Sequence, residues 1–155
     1  MNLEAVIQAA KRVCKNASKE LTINRQRVLE VLLQAKEPIS AYELRDLYNL
    51  TVDYPIRAMS VYRILDFLES MKLVHKLNFA SKYIACKSLT GECNHQTSIF
   101  LICKSCQKIE EINVSHNTFL PLNNAIESSG FSSKDSQLEV ITLCDICVEN
   151  FKSNR

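Results

Sequence analysis

Residues 59–86, MSVYRILDFLESMKLVHKLNFASKYIAC, change period halfway along. Met59, Val61, Ile64, Leu65, Leu68 and Met71 recur at helical spacing, with Arg57, Ser60, Arg63, Asp66 and Glu69 mainly on the other faces. Residues 73–77 and 83–86 are short and β-like, and residues 78–82 join them as a hairpin. Short helices that end in a two-stranded hairpin make a winged helix-turn-helix. In that fold the last helix enters the major groove of DNA and the hairpin flanks it.

Working outward, Ser40-Ala-Tyr-Glu43 reads as a capping box that opens a third helix, with Ile39 and Leu44 at the positions of a hydrophobic staple. Pro55 breaks the chain before the fourth helix. A second helix carries Val28, Leu29, Val31, Leu32 and Leu33 and stops at residues 36–38. In residues 2–17, Leu3, Val6, Ile7, Ala10, Val13 and Cys14 form one face, opposite Lys11, Arg12 and Lys15. Downstream, residues 87–94 are polar, residues 98–103 and 107–113 read as strands, and residues 119–129 as a helix closed by Gly130. Residues 137–143 form a third strand and the tail from Asp145 a short helix. The expected class is α+β: an N-terminal winged helix-turn-helix domain over residues 1–86 and a C-terminal α/β domain over residues 87–155.

Composition agrees. In 155 residues there are only two Gly and three Pro, which disfavours a turn-rich β-sandwich and disordered linkers. No apolar run approaches the roughly 20 residues that span a bilayer. The first 19 residues alternate apolar and polar and lack a signal-peptide block, so a cytoplasmic location is expected. Net charge is +2, but residues 1–85 carry thirteen Lys and Arg against nine Asp and Glu, while the remainder carries six against eight. The first half is therefore the half suited to phosphate. Seven cysteines are many for a reducing compartment, and an odd number cannot complete a disulfide framework, which leaves metal binding.

Cys103-Lys-Ser-Cys106 and Cys144-Asp-Ile-Cys147 are the strongest chemical signal. Each pair sets two thiolates on one tight turn, and two such knuckles close a four-cysteine zinc site. Four protein ligands saturate zinc, so the site is expected to be structural, with no open position for water or substrate. A redox C-x-x-C should open a helix in a βαβ setting, which is not evident here. The other ligand types are His75, Cys86, Cys93, His95, Glu110, Glu111 and His116. Two imidazoles, one thiolate and one carboxylate drawn from them would suit tetrahedral zinc better than iron or manganese.

Several of these stretches resemble the ferric uptake regulator family. Leu21-Thr-Ile-Asn-Arg-Gln-Arg-Val-Leu29, Ile39-Ser-Ala-Tyr-Glu-Leu44, Ser60-Val-Tyr-Arg-Ile-Leu-Asp-Phe-Leu68 and Leu73-Val-His-Lys76 look like its DNA-binding half. The Ser-Ala-Tyr, Val-Tyr-Arg and Val-His-Lys pieces, with Phe100-Leu-Ile-Cys-Lys-Ser-Cys106, look like its zinc uptake regulator branch. The resemblance implies a homodimeric repressor, dimerised through the C-terminal domain, that binds palindromic operators of zinc-uptake genes when loaded with zinc. It implies two Zn2+ per protomer. Cys103, Cys106, Cys144 and Cys147 match the structural site, and His75, Cys86, His95 and Glu111 match the regulatory one. Tyr42, Tyr62 and Arg63 match DNA contacts, and Arg57 and Ser60 at the start of the same helix join them as candidates.

Two departures stand out. His95 lies one residue further from Cys103 than the branch usually shows, which makes Cys93 an alternate ligand, and Gln107 replaces the glycine usual after the knuckle. With only three His, the histidine clusters common in iron and peroxide sensors of the family are absent. Other readings are an iron or peroxide sensor on the same scaffold, a zinc-ribbon module for protein partners, and a thiol-redox or zinc enzyme. The last lacks an open metal site with a separate general base. No membrane and no small-molecule substrate are expected.

Overall fold

Ser40 opens the third of the expected helices. Its hydroxyl accepts a hydrogen bond from the Glu43 amide at 3.2 Å, and the Glu43 carboxylate accepts one from the Ser40 amide at 2.7 Å. Both bonds of the expected capping box are therefore present, and the helix they open is α3 (Ala41–Asn49). The computed structural model describes residues 2–35, 37–86, 89, 97–132 and 137–153, and the chain divides into two compact units, 1–92 and 93–155.

In the first unit, α1 (Leu3–Asn16) buries Val6, Ile7, Ala10 and Cys14, one stripe at helical spacing. Its end is turned by Ser18 at φ +55°, with the Lys19 amide donating to the Cys14 carbonyl. α2 (Ile23–Gln34) buries Val28, Leu29 and Leu32, α3 buries Ala41, Leu44 and Tyr48, and α4 (Ala58–Ser70) buries Val61, Leu65 and Leu68. These side chains join one apolar core with Leu73, Val74, Tyr83 and Ala85 of the hairpin. Inside that core the Tyr48 hydroxyl donates to Asn24 Oδ1 at 3.0 Å, which keeps a buried phenol satisfied.

The hairpin is β1 (Val74–Leu77) paired antiparallel with β2 (Lys82–Ala85), with Val74 opposite Ala85 and Leu77 opposite Lys82. The outer edge of β2 is not bare. Ile39 and Tyr83 exchange two backbone bonds, of 3.0 and 2.8 Å, so the residue preceding the α3 cap is tied to the wing. Sequence patterning assigns Ile39 to a staple only, because a single bridge has no period to read. Between α3 and α4, Asn49 clamps Ile56. The amide of Ile56 donates to Asn49 Oδ1 at 2.9 Å, and Asn49 Nδ2 donates to the Ile56 carbonyl at 3.2 Å.

In the second unit, β3 (Thr97–Cys103) is the central strand. It pairs antiparallel with β4 (Ile109–Val114) and parallel with β5 (Gln137–Thr142). α5 (His116–Ser128) makes the crossover and α6 (Asp145–Ser153) follows β5. Two expected boundaries are corrected. β4 starts at Ile109 rather than Gln107, because Gln107 occupies the left-handed turn, at φ +63°, that ends the knuckle. The helix expected from residue 119 starts three residues earlier, because the Ser115 side chain accepts from the Thr118 amide and caps it. Pro121 then falls inside the helix, where it can donate no bond back to the Asn117 carbonyl.

Candidate metal centres and nucleic-acid interface

The two C-x-x-C turns meet in the second unit. Cys103 ends β3, Cys106 lies on the turn after it, and Cys144 and Cys147 lie at the junction of β5 and α6. One backbone bond closes the first turn, the Gln107 amide to the Cys103 carbonyl at 3.0 Å, and another ties that turn to the end of β5, the Lys104 amide to the Thr142 carbonyl at 2.9 Å. All four sulfurs lie within 4.8 Å of one another, and Cys106 Sγ is 3.6 Å from Cys144 Sγ. A disulfide needs about 2.05 Å, so this pair is not bonded. Zinc–thiolate bonds of about 2.3 Å in a tetrahedron set sulfur–sulfur edges of about 3.8 Å, and the observed spacing fits that.

The electrostatics also fit a cation. The Cys103 thiol is brought down to about 6, first by the Cys106 amide and then by the Cys144 amide; the latter lies 3.4 Å from its sulfur. Cys147 is pushed up to about 12. The Ser105 hydroxyl favours its thiolate, but the Cys144 sulfur, burial and the sulfurs of Cys106 and Cys103 outweigh it. Four thiolates this close repel one another unless a positive ion sits among them, so metal uptake here releases protons.

A second pair of ligand types meets in the first unit. His75 lies on β1, half-buried, and Cys86 follows β2, buried, with its amide donating to the Leu73 carbonyl at 3.0 Å. Their ligand atoms lie within 4.8 Å. Of the other candidates, Glu111 lies in the second unit on β4 and is buried, while Glu110 beside it is exposed. His116 is exposed at the start of α5. His95 and Cys93 lie outside the described residues.

The candidate DNA contacts gather on α3 and α4. Tyr42 is exposed in the first turn of α3, and its ring meets that of Tyr62 edge to face, centroids 6.3 Å apart. Tyr62 itself is half-buried and packs against the core, so it both fills the interior and supports Tyr42. Arg45 lies beside the Tyr42 ring at 5.4 Å. Arg57 occupies the N-cap position of α4 without a side-chain cap, and Ser60 and Arg63 are exposed three residues apart on one face. Among the described residues Arg63 makes no ion pair, which removes the surface salt bridge as its explanation. The basic groups thus sit in the N-terminal half of α4, the half that such helices direct at base edges.

Sequence reading passed over two polar residues. Asn49 sets the backbone entering α4. Ser98, buried on β3, donates to Glu111. The signal for Ser98 was available: it interrupts the alternating buried positions of an otherwise apolar strand.

The chain is 28% identical to the zinc uptake regulation protein of Escherichia coli strain K12 over 94% of its own length and 83% of that protein's. The crystal structure of holo XcZur superposes with a TM-score of 0.74 at 30% identity, covering 92% of this chain and 96% of that one. A zinc uptake regulator complexed with zinc and DNA superposes at 0.81 with 26% identity, covering 98% and 99%. Residues 16–141 match the sequence profile of the Ferric uptake regulator family. Because that match runs from the end of α1 into β5 and so takes in both the winged helix and the first cysteine knuckle, the chain belongs to the Ferric uptake regulator family.

Proposed function

We propose that the chain is a zinc-responsive transcriptional repressor whose zinc-loaded homodimer binds palindromic operators of zinc-uptake genes in the cytoplasm. The observation that carries this reading is the pair His75 and Cys86, an imidazole and a thiol within 4.8 Å of each other in the wing of a DNA-binding fold. Thiolate with imidazole suits zinc, whereas iron(II) and manganese favour more oxygen. In this reading His75, Cys86, His95 and Glu111 hold a regulatory zinc, with Cys93 the alternate to His95. The four-cysteine site holds a second, permanent one, giving two ions per protomer. Neither ion does chemistry on a substrate: the zinc supplies bonds that select one conformation, and the protein is not an enzyme.

Similarity to regulators described with zinc and with DNA supports the reading. For the dimer, α5 has no fully buried residue among the described residues, and Leu120, Leu122, Ile112 and Ile141 leave apolar surface that a second copy would cover. For DNA, the Tyr42 hydroxyl suits a phosphate contact and Arg63 a bidentate contact to guanine, with Arg57, Ser60 and Tyr62 around them. Zinc acts because the binding-competent form holds it more tightly, and reciprocity requires DNA to tighten zinc binding by the same factor.

The test is fluorescence anisotropy of a palindromic duplex against buffered free zinc, with iron(II) and manganese(II) as parallel titrations. Wild type should bind in response to zinc. Cys86→Ser should lose zinc-dependent binding while remaining a folded dimer with its four-cysteine zinc. A Cys86→Ser protein that responds normally sinks the ligand assignment, and a response to iron(II) but not zinc makes the chain an iron sensor.

A further inference from the structure

On β3 the buried positions alternate as Ser98, Phe100 and Ile102, so a hydroxyl shares one sheet face with two large apolar side chains. The register sets Ser98 opposite Asn113 and Phe100 opposite Glu111, which makes Ser98 and Glu111 diagonal neighbours on that face. Ser98 Oγ lies 3.1 Å from Glu111 Oε1 and 3.3 Å from Asn113 Oδ1. A hydroxyl has one proton to donate. The carboxylate is both the nearer acceptor and, when ionised, the stronger one.

We infer that Ser98 is a positioning residue for zinc: it holds Glu111 Oε1 and so presents Oε2 to the metal. The inference rests on the reading of Glu111 as a regulatory zinc ligand. Ser98 does not touch the ion in this scheme. It removes carboxylate rotation that would otherwise be lost on binding, and groups of this kind change metal affinity by about 10–100-fold. It also commits Glu111 to one oxygen. One-oxygen ligation suits four-coordinate zinc, whereas larger or harder ions gain from a carboxylate free to offer both oxygens.

The test compares Ser98→Thr with Ser98→Val, two β-branched residues of like shape that differ in the hydroxyl. In the full chain with the four-cysteine site filled, the exchangeable zinc is titrated against a competing chelator. Cobalt(II) in the same site reports its geometry through its visible d–d bands. Ser98→Thr should bind zinc close to wild type, and Ser98→Val about 10–100-fold more weakly with weaker tetrahedral bands. If Ser98→Val matches Ser98→Thr in affinity and spectrum while Cys86→Ser has lost the exchangeable zinc, the inference is overturned and the ligand reading stands. If Cys86→Ser and Glu111→Gln both keep that zinc, the ligand reading itself fails and takes the inference with it.

Discussion

Gln107 is the residue at which chemistry and backbone disagree. It closes the first knuckle at φ +63°, in the left-handed region that costs an L side chain about 1 kcal/mol, and its amide must still reach the Cys103 carbonyl. The strain is tolerated because the turn is closed by that bond and by the metal its cysteines can hold. Gln107→Gly should therefore stabilise the zinc-loaded protein by up to about 1 kcal/mol in urea unfolding. Gln107→Val should do the reverse, since a β-branched side chain fits positive φ worst. Equal midpoints for the three proteins would mean that the turn stores no strain.

At the scale of elements, the entry into α4 is held by polar bonds. Two bonds from Asn49 fix the Ile56 backbone one residue before the Arg57 cap. Asn49→Ala should cost about 1–3 kcal/mol of stability, from two lost bonds and two backbone groups left in a half-buried turn. It should also weaken operator binding without touching a DNA contact, which anisotropy at saturating zinc would detect. Unchanged DNA affinity would show that α4 is positioned by its apolar face alone. The elements themselves were largely legible in the sequence. Residues 59–86 switch period where α4 gives way to the hairpin, and Ser40 and Glu43 announce the start of α3. What escaped was held by polar groups with no period. Asn49 acts across a loop and Ile39 through one bridge. The cap at Ser115 lay upstream of the apolar residues from which the helix was read. The candidate metal sites divide likewise: the four cysteines declare themselves by spacing, whereas His75 and Cys86 meet only because the hairpin folds back.

For the whole molecule, the two units are stabilised differently. Among the described residues, the buried side chains of the main apolar core run from Val6 to Leu89, all in the first unit. In the second unit the buried side chains among the described residues are Ser98, Phe100, Ile102, Cys103, Glu111 and Cys147, of which Cys103, Cys147 and Glu111 are candidate ligands. A unit with so few apolar anchors leans on its metal. Stripping the protein with a strong chelator should unfold the sheet of the second unit and leave the helical signal of the winged unit largely in place. Hydrogen exchange by mass spectrometry would localise the loss, and uniform protection across both units would refute this division. The strand order β4-β3-β5 adds a kinetic side to it. The winged unit is built chiefly from neighbours in sequence. The central strand β3, by contrast, acquires its parallel partner only after β4 and α5 have been synthesised and folded back, so the sheet has the higher contact order of the two. During synthesis the winged unit can fold as soon as it emerges, whereas both halves of the four-cysteine cluster exist only once Cys144 and Cys147 have been made. A chain interrupted before that point would carry a complete winged unit and an unfinished four-cysteine cluster.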